Sequence, residues 1–359
     1  MDEWKTLLSC LPEPGDIRID WDAVCSTAYA SFAQQMAETK QNPVWHGEGD
    51  VWCHTRMVCE TLVAMDEYQA QPVEMQKALL VAALLHDIGK IPCTIWEDGA
   101  WTSPNHAIVG AKMARRWLWE VCGLYGTPEK LRMRELICLL VRYHMLPGRV
   151  TEQSNAEKRL VQMASCGALV PDFTLHRLCI LAMADTRGRI ADDLEASANT
   201  TQKCAEAAEH LGCLHGPGQN GVRNMSDIVP MLCRLPGTDT APWLACRLAH
   251  VPVISLPQLA QEEIPALPLQ SRKLQRIAAA RCRDHLRQKK PFMLDAAHLS
   301  QEGRKQLVRS LQGLQANARI IYLEDRHPLQ PEEAELLSSF TPPEPGEAPL
   351  VEWLCMNDH

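Results

Sequence analysis

Aromatic side chains make up only 5% of the 359 residues, and ten of them are tryptophan. Neither patterning nor spacing accounts for that skew. Long apolar runs are also missing. None approaches the roughly 18–20 residues that a bilayer-crossing helix needs, which excludes a spanning helix as an expectation. The opening stretch MDEWKTLLSCLPEPGD is acidic and lacks the basic-then-apolar layout of a signal peptide, so a cytoplasmic location is expected. Basic residues show no excess: 36 Lys and Arg stand against 44 Asp and Glu, for a net charge of -8. That argues against a broad basic face for an extended duplex, though not against a local basic pocket for one phosphate or one nucleic-acid end. No C-x-x-C occurs among the fifteen cysteines, which excludes a zinc knuckle or a thioredoxin-type pair. Scattered singly through apolar segments, they read as reduced, buried hydrophobes. Internal repeats and low-complexity blocks are absent as well.

What is present falls into two halves of different periodicity. Up to about residue 215, segments such as VWCHTRMVCETLVAMDEY, VEMQKALLVAALLHD, NHAIVGAKMARRWLWEVCG and LHRLCILAMADTRGR carry apolar residues at three- and four-residue spacing. Short turns such as QNPVWHGEG and WEDGAWTSP separate them. An all-α domain is therefore expected over residues 1–215. A glycine-rich linker follows over residues 216–226. Beyond it, over residues 227–359, short β-like runs (DIVPMLC, VPVISL, PFMLDAA, ARIIYLE) alternate with helical segments, as in a parallel α/β sheet. The tail, TPPEPGEAPLVEWLCMNDH, reads as proline-rich and partly irregular. The expected fold class is thus α plus α/β.

The helical half also carries a series of ligand-type side chains: His54, His86-Asp87, His106, His144 and Asp185. Imidazole nitrogen and carboxylate oxygen are shared ligands of several divalent metals. Adjacent helical residues point about 100° apart, so His86 and Asp87 reach one ion only where their helix end faces a cavity. The other residues sit in or beside separate helical segments, which a bundle can converge. Each alone reads as an ordinary structural residue, and His86-Asp87 alone as a helix end capped at Gly89. Together, after the apolar run ALLVAALL, a charged pair is costly unless paired or metal-bound.

The order H…HD…D, with LLHDIGK and MADTRGR, closely resembles the HD-domain superfamily of metal-dependent phosphohydrolases. HGEGDVWCHTRMV resembles the opening of the branch related to the HD domains of bacterial tRNA nucleotidyltransferases. The resemblance covers roughly residues 20–200. It implies His54, His86, Asp87 and Asp185 as ligands of a first divalent metal (Mn, Mg, Fe, Co, Ni or Zn). His106 and His144 stand where some branches add histidines for a second metal or for substrate. PNHAIVGAK departs from the family's G-H-E-x-x-G-A helix start, because Pro104-Asn105 precede the histidine and Ala107 replaces the glutamate. Lys90, Arg187 and Arg189 are expected as phosphate contacts. His46 and Glu48 are expected to shape the pocket entrance. Metal-assisted hydrolysis of a phosphate ester is implied, with Asp87 also orienting water.

In the second half, CRLPGTDTAPW resembles the phosphate loop of polynucleotide-kinase-like P-loop proteins. A working loop, G-x-x-x-x-G-K-[ST], wraps phosphate with backbone N–H groups and adds a lysine and a hydroxyl. Pro236, Gly237 and Trp243 persist. Arg234 and Asp239 replace the two glycines, Thr240 the lysine and Pro242 the hydroxyl residue. ATP binding is therefore not expected; an unrelated α/β domain with a chance LPGT is the alternative. Two functions follow as expectations. One is a phosphohydrolase acting on nucleotides or nucleic-acid phosphate ends, without membrane or extended-duplex partners. The other is a catalytically idle regulatory or scaffolding subunit. Neither composition nor motif determines the oligomeric state.

Overall fold

The computed structural model describes residues 2–217, 228–235, 238–248, 251–263, 268–324, 340–344, 347–348 and 350–355. The chain divides into two compact units, Met1–Leu124 with Glu129–Gln219, and Tyr125–Pro128 with Asn220–His359. Most of the linker expected at 216–226 lies outside the described residues.

The helical periodicity of the first half resolves into α1 (Glu3–Ser9), α2 (Trp21–Val24), α3 (Ala30–Glu38), α4 (Val51–Ala64), α5 (Asp66–Gln69), α6 (Val73–Leu85) and α7 (Lys90–Cys93). After a hairpin of β1 (Ile95–Glu97) and β2 (Ala100–Thr102) come α8 (His106–Glu120), α9 (Pro128–Tyr143), α10 (Ala156–Ala164), α11 (Leu175–Arg187) and α12 (Leu194–His210). The first half is therefore not wholly α-helical: WEDGAWTSP, expected as a turn, is a two-stranded antiparallel hairpin with Trp96 opposite Trp101. Its turn residues, Asp98 and Gly99, both have positive φ, 51° and 78°. That backbone matches the twist of tight hairpins and favours Asp-Gly.

Helix α6 organises this unit. From Met75 to Leu85 every residue but Lys77 is buried, as expected of a helix apolar all round its circumference. It packs against α4 and α11, which also pack on each other. Both flanking helices start at a side-chain cap. Asp50 accepts from Cys53 N–H at 2.8 Å before α4, and Thr174 accepts from Arg177 N–H at 3.2 Å before α11. At the other end of α6, the Tyr29 hydroxyl donates to Leu84 O at 2.7 Å. Gly89 is not a left-handed C-cap, the role it would have if His86-Asp87 were an ordinary helix end, because its φ of -68° is right-handed. It is small for a different reason: a Cβ there would lie 2.0 Å from the His106 carbonyl oxygen and 2.5 Å from Gly110 N. This contact seats the start of α8 against the end of the HD segment.

In the second unit, β3 (Ile228–Arg234), α13 (Ala241–Leu248), β4 (Val253–Ser255), α14 (Leu256–Glu263), α15 (Arg272–Arg287), β5 (Met293–Ala297), α16 (Gln301–Gln312), β6 (Asn317–Glu324) and β7 (Leu350–Cys355) form a parallel sheet of order β4-β5-β3-β6-β7 with helices between strands. Leu232, Trp243, Met293, Ile321 and Leu323 make a buried cluster on it. Strand β7 lies in the tail expected to be proline-rich and partly irregular, where LVEWLC pairs along β6. The cysteines from Cys10 to Cys282 are free and most are buried. No described helix is long and apolar enough to cross a membrane.

Helices α8 and α9 share a buried ion triad. Arg115 holds Glu135 through Nη2 at 2.6 Å and Nε at 2.9 Å, and Arg134 Nε donates to Glu135 at 2.8 Å. Burial raises the Glu135 pKa, but the two guanidiniums outweigh it and hold the carboxyl below the usual range. Replacing Glu135 with alanine removes the carboxylate that both guanidiniums hold in the interior and should cost about 3–5 kcal/mol at neutral pH in urea denaturation. Because the native pKa is depressed, that contribution is complete above the unfolded value. The gap between wild type and variant should therefore narrow as pH falls through the native pKa.

Candidate metal centre

The segments singled out for ligand chemistry converge inside the helical unit. His54 comes from the second turn of α4, His86 and Asp87 from the end of α6, and Asp185 from α11. His106 opens α8 and His144 follows α9. His54, His86, Asp87, His106 and His144 are buried. The His54 Nε2 atom lies 3.0 Å from Asp185 Oδ1, 3.4 Å from His86 Nε2 and 3.6 Å from Asp87 Oδ2. His86 Nε2 is 3.2 Å from Asp87 Oδ2 and 3.7 Å from Asp185 Oδ1. On the other side, Asp87 Oδ1 is 3.4 Å from His106 Nε2 and 3.8 Å from His144 Nε2.

Hydrogen bonding behind the rings determines their tautomers. His86, His106 and His144 each donate Nδ1–H to a carbonyl three residues earlier: Ala83 at 2.7 Å, Ser103 at 2.7 Å and Val141 at 2.8 Å. His54 Nδ1 faces Glu48 at 3.0 Å and Gly188 O at 3.2 Å. A carbonyl only accepts, so in the neutral rings Nδ1 carries the proton and the Nε2 lone pair points inward. Outer partners of this kind fix metal-ligating imidazoles. Asp87 Oδ1 is buried without a hydrogen-bond partner, facing two such lone pairs. That arrangement is repulsive unless a cation lies among these atoms. His54, His86 and Asp87 form one group of candidate ligands, and Asp87, His106 and His144 another. Asp87 belongs to both through different oxygens, and the donor set of imidazole and carboxylate fits a borderline divalent ion.

The electrostatics agree with that geometry. Burial lowers the pKa of His54, but Asp185 and Glu48 outweigh it and raise the imidazole to about 9. Burial and the neighbouring His86 push His144 down to about 4, and burial also lowers His106. Burial raises Asp87 and Asp185, yet the surrounding cationic groups hold both carboxyls well below the usual range, with Lys90 foremost at Asp87 and His54 at Asp185.

A cavity of about 1060 Å³ opens onto this cluster, lined by Asp87, Lys90, His106, His144, Asp185 and Arg189 among others. Lys90 Nζ sits 2.7 Å from Asp87 Oδ2 and donates to Gln41 Oε1 at 2.7 Å. Arg189 is braced by Asp193 at 2.9 Å and Ser197 at 2.9 Å. Arg187, expected beside it, is exposed on the last turn of α11 and does not line the cavity. Helical geometry turns it away from Asp185 two residues earlier. Glu48 was expected at the entrance but lies behind His54, where its carboxylate takes Ile190 N–H at 2.9 Å and His46 Nδ1 at 2.9 Å. This orienting role depends on a partner 142 residues away, which no local spacing reveals. His46 does line the cavity.

In the α/β unit, the positions compared with a phosphate loop are only partly described, since Pro236 and Gly237 lie outside the described residues. Arg234 ends β3 and donates to Asp295 at 3.2 Å and to Thr238 O at 3.4 Å. The Asp239 carboxylate accepts from Ala241 N–H at 3.0 Å, at the start of α13. Trp243 is buried.

Residues 51–166 match the family described as HD domain. That stretch holds His54, His86, Asp87, His106 and His144 and ends before Asp185. No curated protein matches the chain.

A proton on His54 and a metal ion compete for the same Nε2 lone pair. Below pH 9 the proton holds it, so apparent affinity for Mn²⁺ should fall about tenfold per unit as pH drops from 8 to 6. His144, neutral above about 4, adds no competition in that range. Calorimetric titration at several pH values checks both the slope and its one-proton origin.

Proposed function

We propose that the HD domain over residues 51–166 serves, with Asp185, as a divalent-metal-dependent phosphohydrolase acting on nucleotides or nucleic-acid phosphate ends. HD domains typically belong to metal-dependent hydrolases, and this one has His/Asp clusters able to hold metal. The observation that carries the reading is the inward convergence of four imidazole Nε2 atoms and two carboxylates beneath a cavity large enough for more than a bare phosphate. An idle scaffold has no need of that costly buried arrangement.

His54, His86, Asp87 and Asp185 would hold one ion, and Asp87, His106 and His144 a second. Bound there, a divalent ion supplies a Lewis acid for a phosphoryl oxygen and an acidified water. The chain's own residues do the rest. Glu48 and the three backbone carbonyls keep the imidazoles in register. Lys90 balances the Asp87 carboxylate and faces the cavity, where its ammonium meets phosphate charge. Arg189, held by Asp193 and Ser197, presents a guanidinium suited to phosphate oxygens. Asp87, shared between both groups, is the group best placed to orient water.

The α/β unit is read as kinase-like in ancestry and without ATP chemistry. Two observations support the loss. The Arg234 guanidinium is committed to Asp295 at the strand ends, and the Asp239 carboxylate occupies the α13 N-terminus, where a phosphate would seek N–H groups.

A screen of purified protein with Mn²⁺, Co²⁺, Ni²⁺ or Zn²⁺ against nucleotides, cyclic phosphates and 3′- or 5′-phosphorylated oligonucleotides tests the reading. At least one ester should turn over in a metal-dependent way. Asp87→Asn should reduce turnover to background, and Glu48→Gln should lower it about 10- to 100-fold, as loss of an outer-shell partner does. ATP should not bind at the α/β unit, so a photoreactive azido-ATP should leave its peptides unlabelled. Turnover that survives Asp87→Asn contradicts the assignment.

A further inference from the structure

Two of the tryptophans stand at the cavity, and the hydrolytic chemistry does not use them. Trp45 and Trp101 both line it. Trp45 is 48% exposed and precedes His46, whose ring stands edge-on to His54 with centroids 4.6 Å apart. Trp101 lies on β2, directly opposite Trp96 on β1. The two indoles pack edge-to-face at 5.1 Å, and Trp96 is itself 59% exposed. Two residues beyond Trp101, the Ser103 carbonyl holds His106 Nδ1, and the Ser103 hydroxyl lies 2.9 Å from that of Thr94 after α7. The hairpin is thereby fastened to the candidate metal ligands. The same cavity is lined by Arg142, Arg149 and Arg159, a local basic group on a chain of net charge -8.

We propose that Trp45 and Trp101 stack the nucleobase of a nucleoside phosphate whose phosphate sits on the His54–Asp87 cluster. The proposal rests on the phosphohydrolase reading above. Exposed indoles beside cationic side chains bind an unpaired base by its face and the backbone by its charge. A paired base within a duplex offers no free face. The substrate class is accordingly a nucleotide with an unpaired base, either free or at a single-stranded end. Arg142, Arg149 and Arg159 would take additional phosphates.

The test compares wild type with Trp45→Ala, Trp101→Ala and Trp101→Phe in Mn²⁺, using adenosine 5′-monophosphate, a single-stranded trinucleotide bearing a terminal phosphate, and ribose 5-phosphate. Each alanine variant should lower the preference for the base-bearing ester over ribose 5-phosphate, as a ratio of kcat/KM, about 5- to 150-fold, the range of one lost stacking contact. Trp101→Phe should recover most of it. A preference seen only with the trinucleotide identifies a strand end as the source; one seen with the mononucleotide identifies a free nucleotide. An unchanged ratio in both alanine variants overturns the proposal. If no ester is hydrolysed by wild type, equilibrium binding of a fluorescent etheno-adenosine monophosphate still decides. Tryptophan-dependent binding then upholds the stacking while the hydrolytic reading fails, and tryptophan-independent binding or none overturns the stacking.

Discussion

The buried carboxylate of Asp87 is the constraint on which the helical unit depends. One oxygen faces His54, His86 and Lys90; the other faces His106 and His144 with no hydrogen bond of its own. With neutral imidazoles, Glu48, Asp87 and Asp185 set three negative charges against the single ammonium of Lys90. Two uncompensated charges in a low-dielectric interior are costly, and a divalent cation is the ligand of matching charge. Asp185 and Glu48 raise His54 to about 9, and the proton it then holds is a partial answer to the same imbalance.

The fold delivers those groups by burying a helix that has no polar face. From Ala78 onward α6 is apolar on every side and buried, and the residues that follow it, His86 to Lys90, are buried too. The capped starts of α4 and α11 register His54 and Asp185 against it. Gly89 then lets α8 approach closely enough for His106 to face the second oxygen of Asp87. Packing and chemistry are thus one arrangement: the apolar run buries the ligand end of the helix, and burial makes unpaired lone pairs expensive.

Much of this was legible in the chain. The three- and four-residue apolar spacing located the helices around the site, and strand–helix alternation located the parallel sheet from β3 to β6. Residues that act through their own local backbone, such as His86 and Asp87 after an apolar run, stood out. Residues whose role depends on distant partners did not. Glu48 orients His54 only because Ile190 is folded against it, and Arg187 turns outward although it lies two residues from Asp185. The hairpin at Asp98-Gly99 did carry a local signal, a turn dipeptide between tryptophans, but three-residue strands are too short for alternation to register. Strand β7 was obscured by the prolines before it. The role of Gly89 could be read only from the carbonyl it touches.

The phosphate-loop comparison and the metal cluster point in opposite chemical directions. Arg234 and Asp239 use their side chains to satisfy their own surroundings, whereas the imidazoles of the helical unit turn their lone pairs inward toward one another. The proposed catalysis therefore centres on Asp87. The most direct measurement is metal stoichiometry after equilibrium dialysis of purified wild type, Asp87→Asn and the His106→Ala/His144→Ala double variant against Mn²⁺ or Zn²⁺. The account predicts two ions per wild-type chain, one in the double variant and none held tightly in Asp87→Asn. Full occupancy retained by Asp87→Asn would contradict it.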